Sequence, residues 1–438
     1  MKKTNKRLLA TAVAAALALP TAAFATNGYF AHGYGTKNKG LGGAGVALPQ
    51  DSLAAATNPA GMVWVGDRMD LGAAIFSPQR EYKVEGAAND GFPAFELQPG
   101  TVESDSEYFL IPHFGRNWML DANSAVGVSV YGNGGMNTDY PDSANGGAGT
   151  YYGGMFGGEA GAGVNLEQLF VNTSYSRKID DKSSWGASAI LAYQRFEATG
   201  LEGFGPAGFN ASSDPDNLTD NGVDSAMGYG FKLGYQGEVA PNLTLAASYQ
   251  SEMEMGEFDD YAGLFAEQGG FNIPATWTLG LAYDMADSGT VVFDVQKIMY
   301  SDINSIGNPM LPNLQTAQLG DDDGAGFGWE DITVYKLGYQ WSTSADYTWR
   351  VGYNHGDQPI PDSEVLFNIL APGVMEDHFT FGMTKKTGAD SEFNLAAMYA
   401  PSNSVKGDNP LQGPTAPNQT IELEMTQWEL EASWAWKF

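Results

Sequence analysis

Along its last eighteen residues the chain alternates with a period of two. Trp428, Leu430, Ala432, Trp434, Trp436 and Phe438 fall on one face, and Glu429, Glu431, Ser433 and Lys437 on the other. A β-strand points successive side chains to opposite sides, so this segment reads as a strand that is apolar outside and polar inside. Ile421, Leu423 and Met425 lie on the opposite parity, which calls for a bulge near Thr426 or for a stretch standing above the lipid. Similar alternation sets Tyr229, Phe231, Leu233 and Tyr235 against Lys232, and Tyr335, Leu337, Tyr339 and Trp341 against Lys336. Tyr347, Trp349, Val351 and Tyr353 likewise oppose Arg350. Extended over the chain, the pattern predicts strands near 67–83, 105–117, 124–132, 164–179, 183–198, 223–239, 242–256, 273–286, 289–302, 328–342, 346–357, 376–387, 390–402 and 421–438.

Short turns such as Ile179-Asp180-Asp181-Lys182 and Lys386-Thr387-Gly388-Ala389 take turns with long loops rich in Gly, Asp and Pro. Short turns at one end and long loops at the other are the asymmetry of outer-membrane barrels, and an even strand count returns both ends to the periplasmic side. The expected fold is all-β, a 14-stranded antiparallel transmembrane β-barrel over residues 67–438. A soluble sandwich or propeller would not explain the loop rhythm or the Trp-rich outer faces.

The chain opens differently. Lys2, Lys3, Lys6 and Arg7 precede an apolar run from Leu8 to Leu19 and then Ala23-Phe24-Ala25, the pattern of a cleaved signal peptide over residues 1–25. Residues 26–66 show little alternation and many Gly and Ala, which suits a compact hatch plugging the lumen. Within them Gly40 to Gly45 satisfy G-x-G-x-x-G, but no strand precedes the motif and no βαβ unit follows, so a dinucleotide site is not expected.

Composition narrows the reading further. With 56 Gly, 10 Trp, 21 Tyr and 23 Phe the chain suits an aromatic-girdled barrel, and without cysteine it has neither disulfides nor thiolate metal ligands. The net charge of −30 excludes nucleic acid as a partner and suits loops facing lipopolysaccharide. The four histidines, His32, His113, His355 and His378, are scattered and no nucleophile motif surrounds a serine, so no enzyme, cofactor or metal site is expected. The C-terminal Phe438 resembles the signal read by the outer-membrane assembly machinery, and a monomer is expected.

Thr26-Asn27-Gly28-Tyr29-Phe30, the run from Gly33 to Gly40, and Thr57-Asn58-Pro59-Ala60-Gly61 resemble the hatch of FadL-type outer-membrane transporters of long-chain fatty acids and other hydrophobic compounds. Arg350 to His355, Gln358-Pro359-Ile360 and Ala371 to Val374 resemble further stretches of that family, and Tyr261 to Phe265 resembles its short loop helix. The resemblance implies capture in outer loops, binding in the lumen, hatch movement and sideways release at an interrupted third strand. It places Asn58-Pro59-Ala60 at that gap, although the tripeptide also reads as a simple turn. Gly132, Gly134 and Gly135 are the candidates for the interruption, or they merely begin a loop. Tyr151, Tyr152, Met155 and Phe156 in one loop, and Phe258, Tyr261, Leu264 and Phe265 in another, are candidates for ligand capture or for packing the loops together. By parity Lys232, Lys336 and Arg350 face inward and are candidates for binding a ligand carboxylate; charge pairing within the lumen is their other reading. An aromatic-hydrocarbon channel and a general porin are the alternative functions.

Overall fold

The computed structural model describes residues 26–86, 97–141, 161–206, 208–412 and 419–438. The expected signal peptide and the loop candidates Tyr151, Tyr152, Met155 and Phe156 lie outside the described residues. Fourteen long strands form the wall: β1 Arg68–Glu85, β2 Phe109–Asp121, β3 Ser124–Tyr140, β4 Ala162–Lys178, β5 Ser183–Thr199, β6 Asp224–Ala240 and β7 Leu243–Gln250, followed by β8 Thr276–Asp284, β9 Thr290–Ile298, β10 Ile332–Ser342, β11 Tyr347–Gly356, β12 Asp377–Lys386, β13 Ser391–Asp408 and β14 Thr420–Lys437. Each pairs antiparallel with the next, and β14 returns to β1 in unbroken register from Arg68 opposite Lys437 to Glu85 opposite Thr420. The sheet is therefore closed, which removes the free edge that lipid could not satisfy. Two shorter strands, Gly100–Glu103 beside β1 and Glu254–Met255 beside β6, belong to loops.

The outer wall exposes Leu71, Ile75, Phe231, Leu233, Leu279, Leu337, Phe381 and Leu430, with Trp185, Trp277 and Trp434 among them. So large an exposed apolar belt fits a lipid surface. On β1, β13 and β14 the belt ends at Ile75, Tyr399 and Trp428, and the outward positions farther along include Gln79, Glu81, Lys83, Lys406, Glu422 and Glu424. Ile421, Leu423 and Met425 point inward and are at most 1% exposed. The bulge weighed near Thr426 does not exist; the irregularity lies across the ladder, at Pro401-Ser402 of β13. β14 keeps one phase, and its inner face turns apolar because the lumen above the belt is filled by an apolar core, whereas lower down Glu429 and Glu431 face Lys39.

Residues 26–66 lie inside the wall as short turns of helix, α1 Thr36–Lys39, α2 Ala54–Thr57 and α3 Met62–Val65. Wall glycines let this backbone approach closely: a Cβ on Gly352 would stand 2.1 Å from the Gly42 nitrogen, and one on Gly186 would stand 2.4 Å from the Pro59 carbonyl carbon. The glycine motif serves this seat, since Gly42 and Gly43 adopt φ of 68° and 79° beneath β11. Buried charges fasten it. Lys39 Nζ lies 2.8 Å from both Glu429 Oε1 and Glu431 Oε2, and Arg68 joins Asp70 at 2.6 Å to Glu392 at 2.9 Å, where Lys37 also binds. Asp70 in turn accepts from the Ser52 backbone N–H at 2.9 Å and from its hydroxyl at 2.6 Å.

Candidate functional site

β3 does not end at its glycines but runs on to Tyr140, and the break in the wall lies on its β2 side. Pairing between β2 and β3 stops at Phe114 opposite Val130, whereas β2 continues alongside β1 up to Phe109. Residues 109–113 of β2 thus lack a partner on β3. Pro112, which has no amide hydrogen to contribute, sits in this stretch. On the other side the β3–β4 register slips between Gly132 and Gly134, leaving Asn133 as the extra residue of a bulge. The hatch occupies the place of the missing strand: Ala31 N–H donates to the Asn133 carbonyl and Gly135 N–H to the Tyr29 carbonyl, both at 3.0 Å. Above the opening, Asp105 N–H donates to the Asp139 carbonyl at 2.8 Å and closes its upper edge.

Among the extracellular loops a small apolar pocket is lined by Val164, Phe196, Leu201, Phe204, Leu264, Phe265, Leu319, Phe327, Phe367 and Leu370. Its polar side chain, Ser305, donates to the Gly270 carbonyl at 2.5 Å. Of the capture candidates, Leu264 and Phe265 line this pocket, while Phe258 and Tyr261 back it through Phe196, at 5.5 and 4.9 Å between ring centres. The short helix expected from Tyr261 to Phe265 is not formed: Tyr261 ends the single 3-10 turn Asp259–Tyr261, and its hydroxyl donates to the Gly222 carbonyl at 2.6 Å and ties two loops together. Buried Glu364 joins two others by accepting from the Met310 N–H at 2.8 Å, and burial lifts its carboxyl above the usual range.

Ring contacts connect pocket and break. Phe196 and Phe265 lie 4.6 Å apart, Phe265 and Phe271 4.8 Å, Phe271 and Tyr29 6.3 Å, and Tyr29 and Phe30 5.3 Å. Phe30 forms the bridge to Gly134 at the opening. Tyr300 steadies the two hatch rings, its hydroxyl donating to the Asn27 carbonyl at 2.6 Å and accepting from the Tyr29 N–H at 3.1 Å.

The three inward cations do not form one site, and each holds the hatch. Lys232 Nζ donates to the Ala56 carbonyl and Lys336 Nζ to the His32 carbonyl at 3.1 Å. Arg350 donates to Gln50 Oε1 at 2.8 Å and to Thr384 at 2.7 Å. Lys232 and Lys336 share an inner chamber with Asp294, whereas Arg350 borders a polar recess between the β8–β9 and β10–β11 turns. Asn58-Pro59-Ala60 is not at the break. It lies against Gly186 of β5 and Gly234 of β6, where the ladder is continuous, because two residues without a Cβ leave room for it. Asn58 there donates to Val46 and Tyr235 carbonyls at 2.8 and 3.2 Å and caps the following turn by accepting from Ala60 N–H at 3.0 Å.

A closed barrel, an apolar mouth and a plugged break in the wall describe a channel for hydrophobic compounds, and the comparisons agree. Residues 11–409 match the family described as outer membrane protein transport protein (OMPP1/FadL/TodX). The chain belongs to this family. The OMPP1/FadL/TodX assignment makes it an outer-membrane transport protein and not an enzyme. Among solved structures it is similar to the Pseudomonas putida toluene transporter TodX, with TM-score 0.67, 19% identity, and 93% of this chain and 99% of that one covered. A Pseudomonas aeruginosa FadL homologue gives TM-score 0.67 and 15% identity over 94% of this chain and all of the other. The Ralstonia pickettii toluene transporter TbuX gives 0.64 and 16% over 93% and 99%. These likenesses carry the fold alone. No curated protein sequence matches the chain.

The prolines of β1 and β2 were the missed signal. Pro78 and Pro112 both fall within strands, and proline inside a strand marks an edge or a bulge. Tyr29 and Phe30 carried no mark of their role beyond the family likeness, because nothing local says that a hatch residue will complete a distant strand.

Proposed function

We propose that the chain passes hydrophobic small molecules inward through the outer membrane, long-chain fatty acids among them, taking them up in the loop pocket and releasing them sideways through the β2–β3 break. The observation that carries this reading is the row of ring contacts from the pocket to the break, whose last two rings belong to the hatch. A ligand descending that row meets Tyr29 and Phe30 and replaces their contacts with its own. Each methylene kept out of water along the way is worth roughly 0.8 kcal/mol, whereas the polar recess toward the periplasm offers no such compensation. Movement is passive, with removal of the ligand inside setting its direction.

Aromatic hydrocarbons are the second reading. The pocket is lined by phenyl rings and aliphatic groups with no charged side chain, and two of the similar solved structures are described as toluene transporters. Deleting Asn133 removes the extra residue of the bulge and lets β3 pair with β2 through the opening. The expected result is loss of hydrophobic-ligand uptake in cells with saturable binding retained in purified protein. Uptake at the original rate would exclude release through the wall.

A further inference from the structure

Arg80 projects inward from β1 where the core is otherwise apolar, and it is 4% exposed. Its Nη1 donates to the Ser106 carbonyl at 2.9 Å, and the guanidinium lies 5.8 Å from the centre of the Phe109 ring. No carboxylate among the described residues pairs with it, and its buried Nη2 has no hydrogen-bond partner. A buried guanidinium with an idle donor is costly, so the fold keeps it at a loss unless an acceptor arrives. Its position says where the acceptor comes from. Ser106 belongs to the segment that Asp105 pins to Asp139 at the upper edge of the wall break, and Phe109 is the end of β2 at that break.

Resting on the proposed sideways route, we propose that Arg80 binds the carboxylate of an amphipathic hydrophobic acid as its chain enters the break. Its idle Nη2 offers the charge-assisted hydrogen bond that a carboxylate accepts. Lys232 and Lys336 are less suited, because the carboxylate of Asp294 shares their chamber.

Binding of oleate and of oleyl alcohol, equal in chain length but different in charge, is measured on purified full-length protein, on Arg80→Gln and on Arg80→Lys. Wild type is expected to prefer oleate by about tenfold, the worth of one charge-assisted hydrogen bond. Arg80→Gln should abolish the preference by weakening oleate alone, and Arg80→Lys should restore part of it. An unchanged preference in Arg80→Gln overturns the assignment. If wild type binds neither ligand saturably, the hydrophobic-channel reading falls as well.

Discussion

Replacing Glu392 by alanine is expected to loosen the hatch by about 3–5 kcal/mol, the cost of leaving buried charge without its partner. Glu392 is 5% exposed and receives both Lys37 of the hatch and Arg68 of β1. Its removal leaves Arg68 with Asp70, but among the described residues Lys37 keeps as a hydrogen-bond partner only the Gln50 carbonyl at 3.4 Å. Hydrogen exchange would report the change as faster amide exchange in residues 36–53 with the wall strands still protected. Glu85→Ala is the control, because its partners Lys83 and Lys406 lie in solvent at 44% and 41% side-chain exposure and such pairs contribute little. Equal exchange in both variants would mean that close packing on the wall glycines, rather than charge, retains the hatch.

Gly134→Val is expected to unblock the wall. A Cβ there would stand 1.9 Å from the Tyr29 carbonyl oxygen, a backbone atom that cannot swing aside as a side-chain end can. The Tyr29–Ala31 segment must leave β3, giving up its hydrogen bonds to Asn133 and Gly135, while the ion pairs of Lys37 and Lys39 keep the rest of the hatch in place. Planar-bilayer recordings should then show steady ionic leak where wild type is closed, and cells should become sensitive to bulky apolar antibiotics. A silent variant would mean that the loops above seal the lumen by themselves.

The wall was readable because lipid outside and polar groups inside impose one strong alternation on every spanning strand. Strand ends were less so. β3 continues past Gly132 because bulged glycines still pair with β4, and β7 stops at Gln250 because the loop beyond it folds back on the core. Inward direction for Lys232, Lys336 and Arg350 followed from parity, but their partners did not, since these come from the hatch nearly two hundred residues or more away. Asn58-Pro59-Ala60 misled for the same reason: its sequence specifies a capped turn, and only the placement of Gly186 and Gly234 decides which part of the wall receives it. Apolar loop residues such as Leu264 and Phe265 announced a pocket without revealing that Phe196 and Phe367, from other parts of the chain, would complete it.

Closure of β14 on β1 also fixes an order of events. The seam joins residues at opposite ends of the chain, down to Phe438 N–H donating to the Asp67 carbonyl at 3.0 Å, and contacts of such sequence separation form late. The hatch is synthesised before any strand, yet its Lys39 binds Glu429 and Glu431 on the last one. Sealing the cylinder and bolting down its contents are therefore one cooperative act, and the rate of maturation should depend on hatch residues that never touch the membrane.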